Sequence, residues 1–208
     1  MRQLASVVPC LLCGRVHELK IHSYPQRKVR VPETCANATL VIVVIVCATA
    51  KARGLQRYKR ILPSFVTPYC VIRRDAVLDY LKVYPSGVMH YRAALSMLGA
   101  LDKRTIRRHL AEALTLIGIA VTQIASLLAQ AALLATMPSR AATEPGPVYL
   151  QRVSAELNRA ARRACGAQAR SIPPLAFVHV AGVGKRHRGG LAVSMTSVLR
   201  ALVFSDTS

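Results

Sequence analysis

The chain has 208 residues, 29 Lys and Arg against 9 Asp and Glu, a formal net charge of +20, and 52% apolar residues with no Trp. That apolar content supports a real core and excludes a disordered basic tail, while the length suits one large domain or two small ones. So few acids argue against a large enzyme built on carboxylates, and the dominance of Arg over Lys, with 22 of the 29 cations, points to a phosphate-bearing partner. An arginine-rich codon bias would give the same charge without a partner.

The amino terminus MRQLASVVPC lacks the long apolar stretch of a secretory signal. A reduced, cytoplasmic protein is therefore expected, and there a close cysteine pair more often holds metal than forms a disulfide. Cys10-Leu11-Leu12-Cys13-Gly14 reads as the first half of a zinc ribbon. Two thiolates at that spacing reach one tetrahedral ion, and the glycine permits the tight turn beneath it. The β-branched run TLVIVVIVCATA (39–50) reads as one buried strand. It ends near Cys47, where the second pair of a ribbon begins, although Ala50 stands at the partner position. The fourth ligand is open among Cys35, His17 and His22, and a metal-free ribbon packed on its cysteines is the alternative. No βαβ pattern surrounds the CxxC to suggest redox use.

The basic cluster Arg57, Lys59 and Arg60 follows, and Pro63 and Pro68 mark a boundary. Residues 1–70 are thus expected to form a zinc-ribbon-like β-subdomain and 71–137 a helical subdomain, interrupted at YPSG (84–87).

Within it, 88–114 has the pattern of a helix-turn-helix. Ala93, Ala94, Leu95 and Leu98 make a short apolar helix, Gly99 breaks it, and Asp102 is a good N-cap for the next. With Ile106, Leu110 and Ala113 turned inward, Arg104 and Arg108 project from the opposite face, flanked by Lys103 and Arg107. Cations at a helix N-terminus oppose its dipole, so a negatively charged ligand accounts for them better than local stability. A recognition helix in the DNA major groove is the sharper reading, and a solvated face on an ordinary helical hairpin the plainer one. His109 reads as a boundary histidine and not as a catalytic one.

Residues 113–137 carry no charge and are long enough to cross a bilayer. Yet Thr115, Thr122, Gln123, Ser126 and Gln130 fall within an arc of about 100°, opposite Ile106, Leu110, Leu114, Ile117, Val121, Ile124 and Leu128. That segregation favours a helix packed on protein, and the apolar spacing also fits the seam of a homodimer. The segment PSRAATEPGP (138–147) reads as a linker to a basic C-terminal section, 148–208. There 148–166 is an amphipathic helix with Arg152, Arg159, Arg162 and Arg163 opposite Val153, Leu157 and Ala160, and 181–190 a glycine-rich basic loop.

The order CxxCG, RKVRVPE (27–33), a β-branched strand ending in Cys47, then LPSFVTPY and RTIRRHL resembles an uncharacterised bacterial family. That family has a zinc-ribbon-like amino terminus and a helix-turn-helix, and is related to the DNA-binding front ends of insertion-sequence transposases. The resemblance covers roughly residues 7–114. It implies zinc at Cys10, Cys13 and Cys47 and DNA contact by Lys103, Arg104, Arg107 and Arg108, with Ala50 as a departure where the family has cysteine. Transposase chemistry is not implied, because strand transfer with two metal ions needs three carboxylates converging from an α/β core.

The expectation is an α+β, non-catalytic, nucleoid-associated DNA-binding protein of the cytoplasm. The alternatives are a small membrane protein anchored by 113–137 and an RNA-binding accessory protein. Basic residues flank the apolar segment on both sides (Arg104, Arg107, Arg108 and Arg140), which gives a membrane helix no clear orientation. The scarcity of aromatics argues against base-stacking platforms.

Overall fold

The computed structural model describes residues 3–4, 10, 12–13, 15–31, 34, 36–55, 57–66, 71–99, 102–130, 137–165 and 171–186. It is an α+β structure, with an antiparallel sheet region followed by a mainly helical one.

The sheet region is built on one long, bent hairpin. Its first arm is β2 (Leu19–Ser23) and β3 (Gln26–Val31), and its second is β4 (Ala36–Val41) and β5 (Val43–Val46). β3 pairs with β4 from Gln26 opposite Val41 to Val31 opposite Ala36, and β2 pairs with β5 from Ser23 opposite Val44 to Lys20 opposite Val46. The bend lies at Pro25 and Ile42. Pro25 has no N–H to give a ladder, and its carbonyl accepts instead from the Ile42 N–H at 3.0 Å. Beside it the register of β2 shifts between Ile21 and Ser23, the signature of a bulge, which bends the strand that carries it. β1 (Gln3–Leu4) and β6 (Tyr58–Ile61) complete a four-stranded sheet in the order β1-β2-β5-β6, while β3 and β4 form a separate ribbon.

The run 39–50 is therefore not the single buried strand expected from its composition. It is divided between β4, most of whose residues face solvent, β5, buried at Val44 and Ile45, and the short helix α1 (Ala48–Ala52). β-branched residues favour extended backbone in either sheet, so nothing local marks the division. The proline that causes it lies on the opposite arm.

The helical region comprises α2 (Arg74–Val83), α3 (Tyr91–Leu98), α4 (Lys103–Gln130), α5 (Gly146–Cys165) and α6 (Pro174–Arg186). α4 is its axis and packs against α2, α5 and α6. The apolar stripe read from the sequence is buried at Ile106, Leu110, Ile117, Ile124 and Leu128, and the burial extends to Ala113, Leu116, Ala120 and Leu127 because three helices cover it. Thr115 and Thr122 stay exposed, their hydroxyls bonded to the carbonyls of Ala111 and Gly118. By length and composition α4 is apolar enough to cross a membrane. Its buried face nonetheless belongs to one protein core with α2, α5 and α6.

That core runs from Ile72 to Ala181 and includes Leu150, Val153, Leu157, Phe177 and Val178. The described residues after the linker, 148–165 and 171–186, thus share one core with the helical region. Proline and glycine in 138–147 set the path of the connection but say nothing about the apolar faces on either side of it. Tyr149 donates to the Pro138 carbonyl at 3.0 Å, and Arg152 grips Glu144 at 2.9 Å, fastening the connection to α5. The glycine-rich stretch expected as a loop is helical through Arg186, and 187–190 lie outside the described residues. Gly182 is buried where a Cβ would come 3.4 Å from Leu116 Cδ1 and 3.5 Å from Arg74 Nη2, so a glycine there allows α6 to approach α4 closely.

The two regions are joined through the backbone. Arg30 N–H donates to the Val71 carbonyl and Arg74 N–H to the Phe65 carbonyl, both at 2.7 Å.

Candidate metal centre and basic helix

Cys10, Cys13, His17 and Cys47 converge on one point, their ligand atoms all within 4.8 Å of one another. Two turns bring them together. In the first, Cys10 N–H donates to the Arg15 carbonyl at 2.9 Å, and the Leu12 N–H points at Cys10 Sγ at 3.4 Å. In the second, Cys47 leaves β5, its N–H is bound by the Arg57 carbonyl at 2.9 Å, and its Sγ caps α1 by accepting from Ala50 N–H at 3.3 Å. Ala50 itself is fully buried against the cysteines. The second turn thus contributes one cysteine, with Ala50 three residues further on in place of a second.

His17 is the fourth residue of the cluster. Its Nε2 lies 3.1 Å from Cys13 Sγ and 3.4 Å from Cys47 Sγ, while its Nδ1 donates to the Glu18 carbonyl at 2.7 Å. A carbonyl can only accept, so that bond places a proton on Nδ1 and aims Nε2 at the sulfurs. Among the three candidates for the fourth ligand the structure brings His17 to the cysteines. His22 stacks beside Tyr58 instead, with ring centroids 4.6 Å apart, and Cys35 lies outside the described residues.

The donor set fits a small tetrahedral ion. Metal–ligand distances of about 2.3 Å to sulfur and about 2.0–2.1 Å to nitrogen correspond to edges of roughly 3.5–3.8 Å, which lie between the two histidine contacts, 3.1 and 3.4 Å, and the 4.8 Å limit on the cluster. Burial pushes the Cys10 thiol up to about 11, and the Cys47 and Cys13 sulfurs add to the rise. At Cys47 burial acts in the same direction but is outweighed by the Ala50 N–H, by hydrogen bonds with Cys13 and Cys10 and by the His17 ring, so that thiol lies below its ordinary value. Crowded thiols compete for ionisation in this way, and a divalent cation among them is what lets all become thiolates.

The second candidate feature is the start of α4. Asp102 Oδ1 accepts from Thr105 N–H at 2.9 Å, and the Thr105 side chain and backbone together hold the Asp102 carboxyl below its usual value. Past this cap Lys103, Arg104, Arg107 and Arg108 are all exposed, as the helical spacing predicts. Lys103 stands over the Tyr91 ring at 4.8 Å. α3 occupies 91–98 and ends at Gly99, whose φ of +83° suits glycine, and it rests chiefly on α2. α4, by contrast, continues far past residue 114 as the core helix.

A buried polar group lies between α2, α4 and α6. Arg74 donates to the Ser64 carbonyl at 3.2 Å and to His179 Nδ1 at 3.1 Å, and His109 Nδ1 is 3.7 Å from Glu112. Arg74, His109 and Glu112 border a cavity of about 10 Å³, the size of one water molecule.

Comparison with protein-family models, with curated proteins and with solved structures finds no match for this chain.

Proposed function

We propose that the chain is a zinc-stabilised, non-catalytic DNA-binding protein that reads duplex DNA with the first turns of α4. The observation that carries this reading is the Asp102-capped helix start with Lys103, Arg104, Arg107 and Arg108 exposed together, on a chain of net charge +20. Arginine pairs bidentately with guanine in the major groove, and neighbouring cations hold the phosphates that fix register. Zinc would be held by the Cys10, Cys13 and Cys47 thiolates and His17 Nε2. Four protein ligands close the site, so its role is to fold the ribbon and not to activate a substrate. The kinship with transposase front ends rests on the order of motifs alone. A DNA partner would place the protein at the nucleoid of the cytoplasm.

Gel-shift titration at 50 and 200 mM salt tests the reading. If about six phosphates are neutralised, affinity falls by orders of magnitude between those concentrations. A folded, zinc-loaded protein that ignores duplex DNA at the lower concentration overturns it.

A further inference from the structure

The four-stranded sheet has a face whose side chains the DNA reading of α4 leaves unused. Pairing places Lys20, Val46 and Tyr58 side by side on β2, β5 and β6, and the alternation along β6 brings Arg60 to the same side as Tyr58. The bulge in β2 adds His22, whose ring centroid lies 4.6 Å from that of Tyr58 with the planes 42° apart. The Arg57 guanidinium carbon stands over the Tyr58 ring at 4.6 Å. Lys20, His22, Arg57 and Arg60 are exposed and Tyr58 is half-buried, so the group is anchored at its centre and open at its rim. From residue 19 to 66 the chain has nine cations and a single acid, Glu33. β6 is also an outer strand of the sheet.

We propose that this face binds a single-stranded nucleic acid, with an unstacked base on the Arg57–Tyr58–His22 group and the flanking phosphates held by Lys20 and Arg60. The cations alone would suit any polyanion. The Arg57 guanidinium over the Tyr58 ring, with the tilted His22 ring beside it, selects a partner that has both phosphates and free π-faces. Duplex DNA keeps its base faces stacked inside, which leaves the single strand. The chain has 7 Tyr, 3 Phe and no Trp, too few for a long aromatic platform, and this site needs one ring for one base.

The test uses the full, zinc-loaded chain and fluorescence anisotropy with a labelled oligothymidylate of about 15 nucleotides, beside an abasic strand of equal length and a duplex. The expected result is that oligothymidylate binds more tightly than the abasic strand and that Tyr58→Ala weakens it at least about fivefold. Tyr58→Phe should bind as wild type, and Tyr58→Ala should bind the abasic strand and the duplex as wild type does. Because Tyr58 is half-buried, the exposed substitutions His22→Ala and Arg57→Ala supply a second pair that also lose oligothymidylate affinity. An abasic strand bound as tightly as oligothymidylate, or folded Tyr58, His22 and Arg57 variants that bind it as wild type does, overturns the proposal. Arg104→Ala probes duplex binding separately, so failure here and failure of the α4 reading are distinguishable.

Discussion

The side-chain amide of Asn158 holds the backbone of Ile172 in both directions: Nδ2 donates to the Ile172 carbonyl at 2.9 Å, and the Ile172 N–H donates to Oδ1 at 3.0 Å. Ser154, one turn earlier on α5, donates to the same carbonyl at 3.2 Å. All three residues are buried. The contact takes the place of secondary structure at 171–173, just before α6 begins at Pro174, and so fixes where α6 meets the core.

Asn158→Leu should therefore remove both amide bonds to the Ile172 backbone and destabilise the protein by about 1–3 kcal/mol in urea unfolding. Ser154→Ala should cost about 0.5–1.5 kcal/mol, because the carbonyl keeps Asn158. Equal losses at the two positions would show that the paired amide is not what holds this segment.

Metal content gives a second prediction. Purified protein should carry about one zinc per chain, and Cys10→Ser or His17→Ala should lose it and expose the first 60 or so residues to protease, because site formation and local folding are one equilibrium. Cys165→Ser should do neither. Ala50 is buried against the cysteines, with its N–H on Cys47 Sγ, so adding Ala50→Cys to His17→Ala should restore zinc through a four-cysteine set. Full zinc occupancy in His17→Ala alone would remove His17 from the site.

Much of this site was legible because its signals are local. Two cysteines at CxxC spacing point to one shared site, and the Asp102 cap followed by apolar residues at helical spacing marks the start of α4 to the residue. His17 could not be separated from His22 by spacing, since the bulge in β2 that turns His22 toward Tyr58 depends on pairing with β5. The break at Ile42 was hidden for the same reason: its cause, Pro25, lies on the other arm. The docking of α5 and α6 on α4 was likewise not legible, since the spacing fitted a helix packed on any part of the chain or on a second copy. Three stripes converge on one core, and composition records the stripes but not which of them meet.

The basic helix should discriminate among DNA sequences, and its members should not be equivalent to other cations. Arg104→Ala or Arg108→Ala should reduce preference for a selected site over random duplex by about 1–3 kcal/mol. Arg162, exposed on α5, should when changed to Ala leave that preference unchanged and at most weaken all sequences alike. Competition binding with selected and random duplexes separates the two effects. Equal, sequence-independent losses at all three positions would reject a recognition role for α4.

The last prediction concerns assembly. Leu110, Leu114, Ile117, Val121, Ile124 and Leu128 have the spacing of a seam between paired helices, and a homodimer through them would set two basic helices on one duplex about 34–36 Å apart. In the structure the seam is occupied within the chain. Leu114 packs so closely on the turn after α2 that a Cβ at Gly87 would lie 2.6 Å from its Cδ1, Ile117 lies against Gly146, and Ile124 is fully buried in the core shared with α5 and α6. Ile124→Glu should accordingly place an unpaired charge in that core and destabilise the helical region by more than about 4 kcal/mol, an effect seen as lost cooperative unfolding and not as a change of assembly. Light scattering with circular dichroism on both proteins decides the matter. A dimeric wild type that Ile124→Glu converts to a folded, helical monomer would show that the seam faces a second copy.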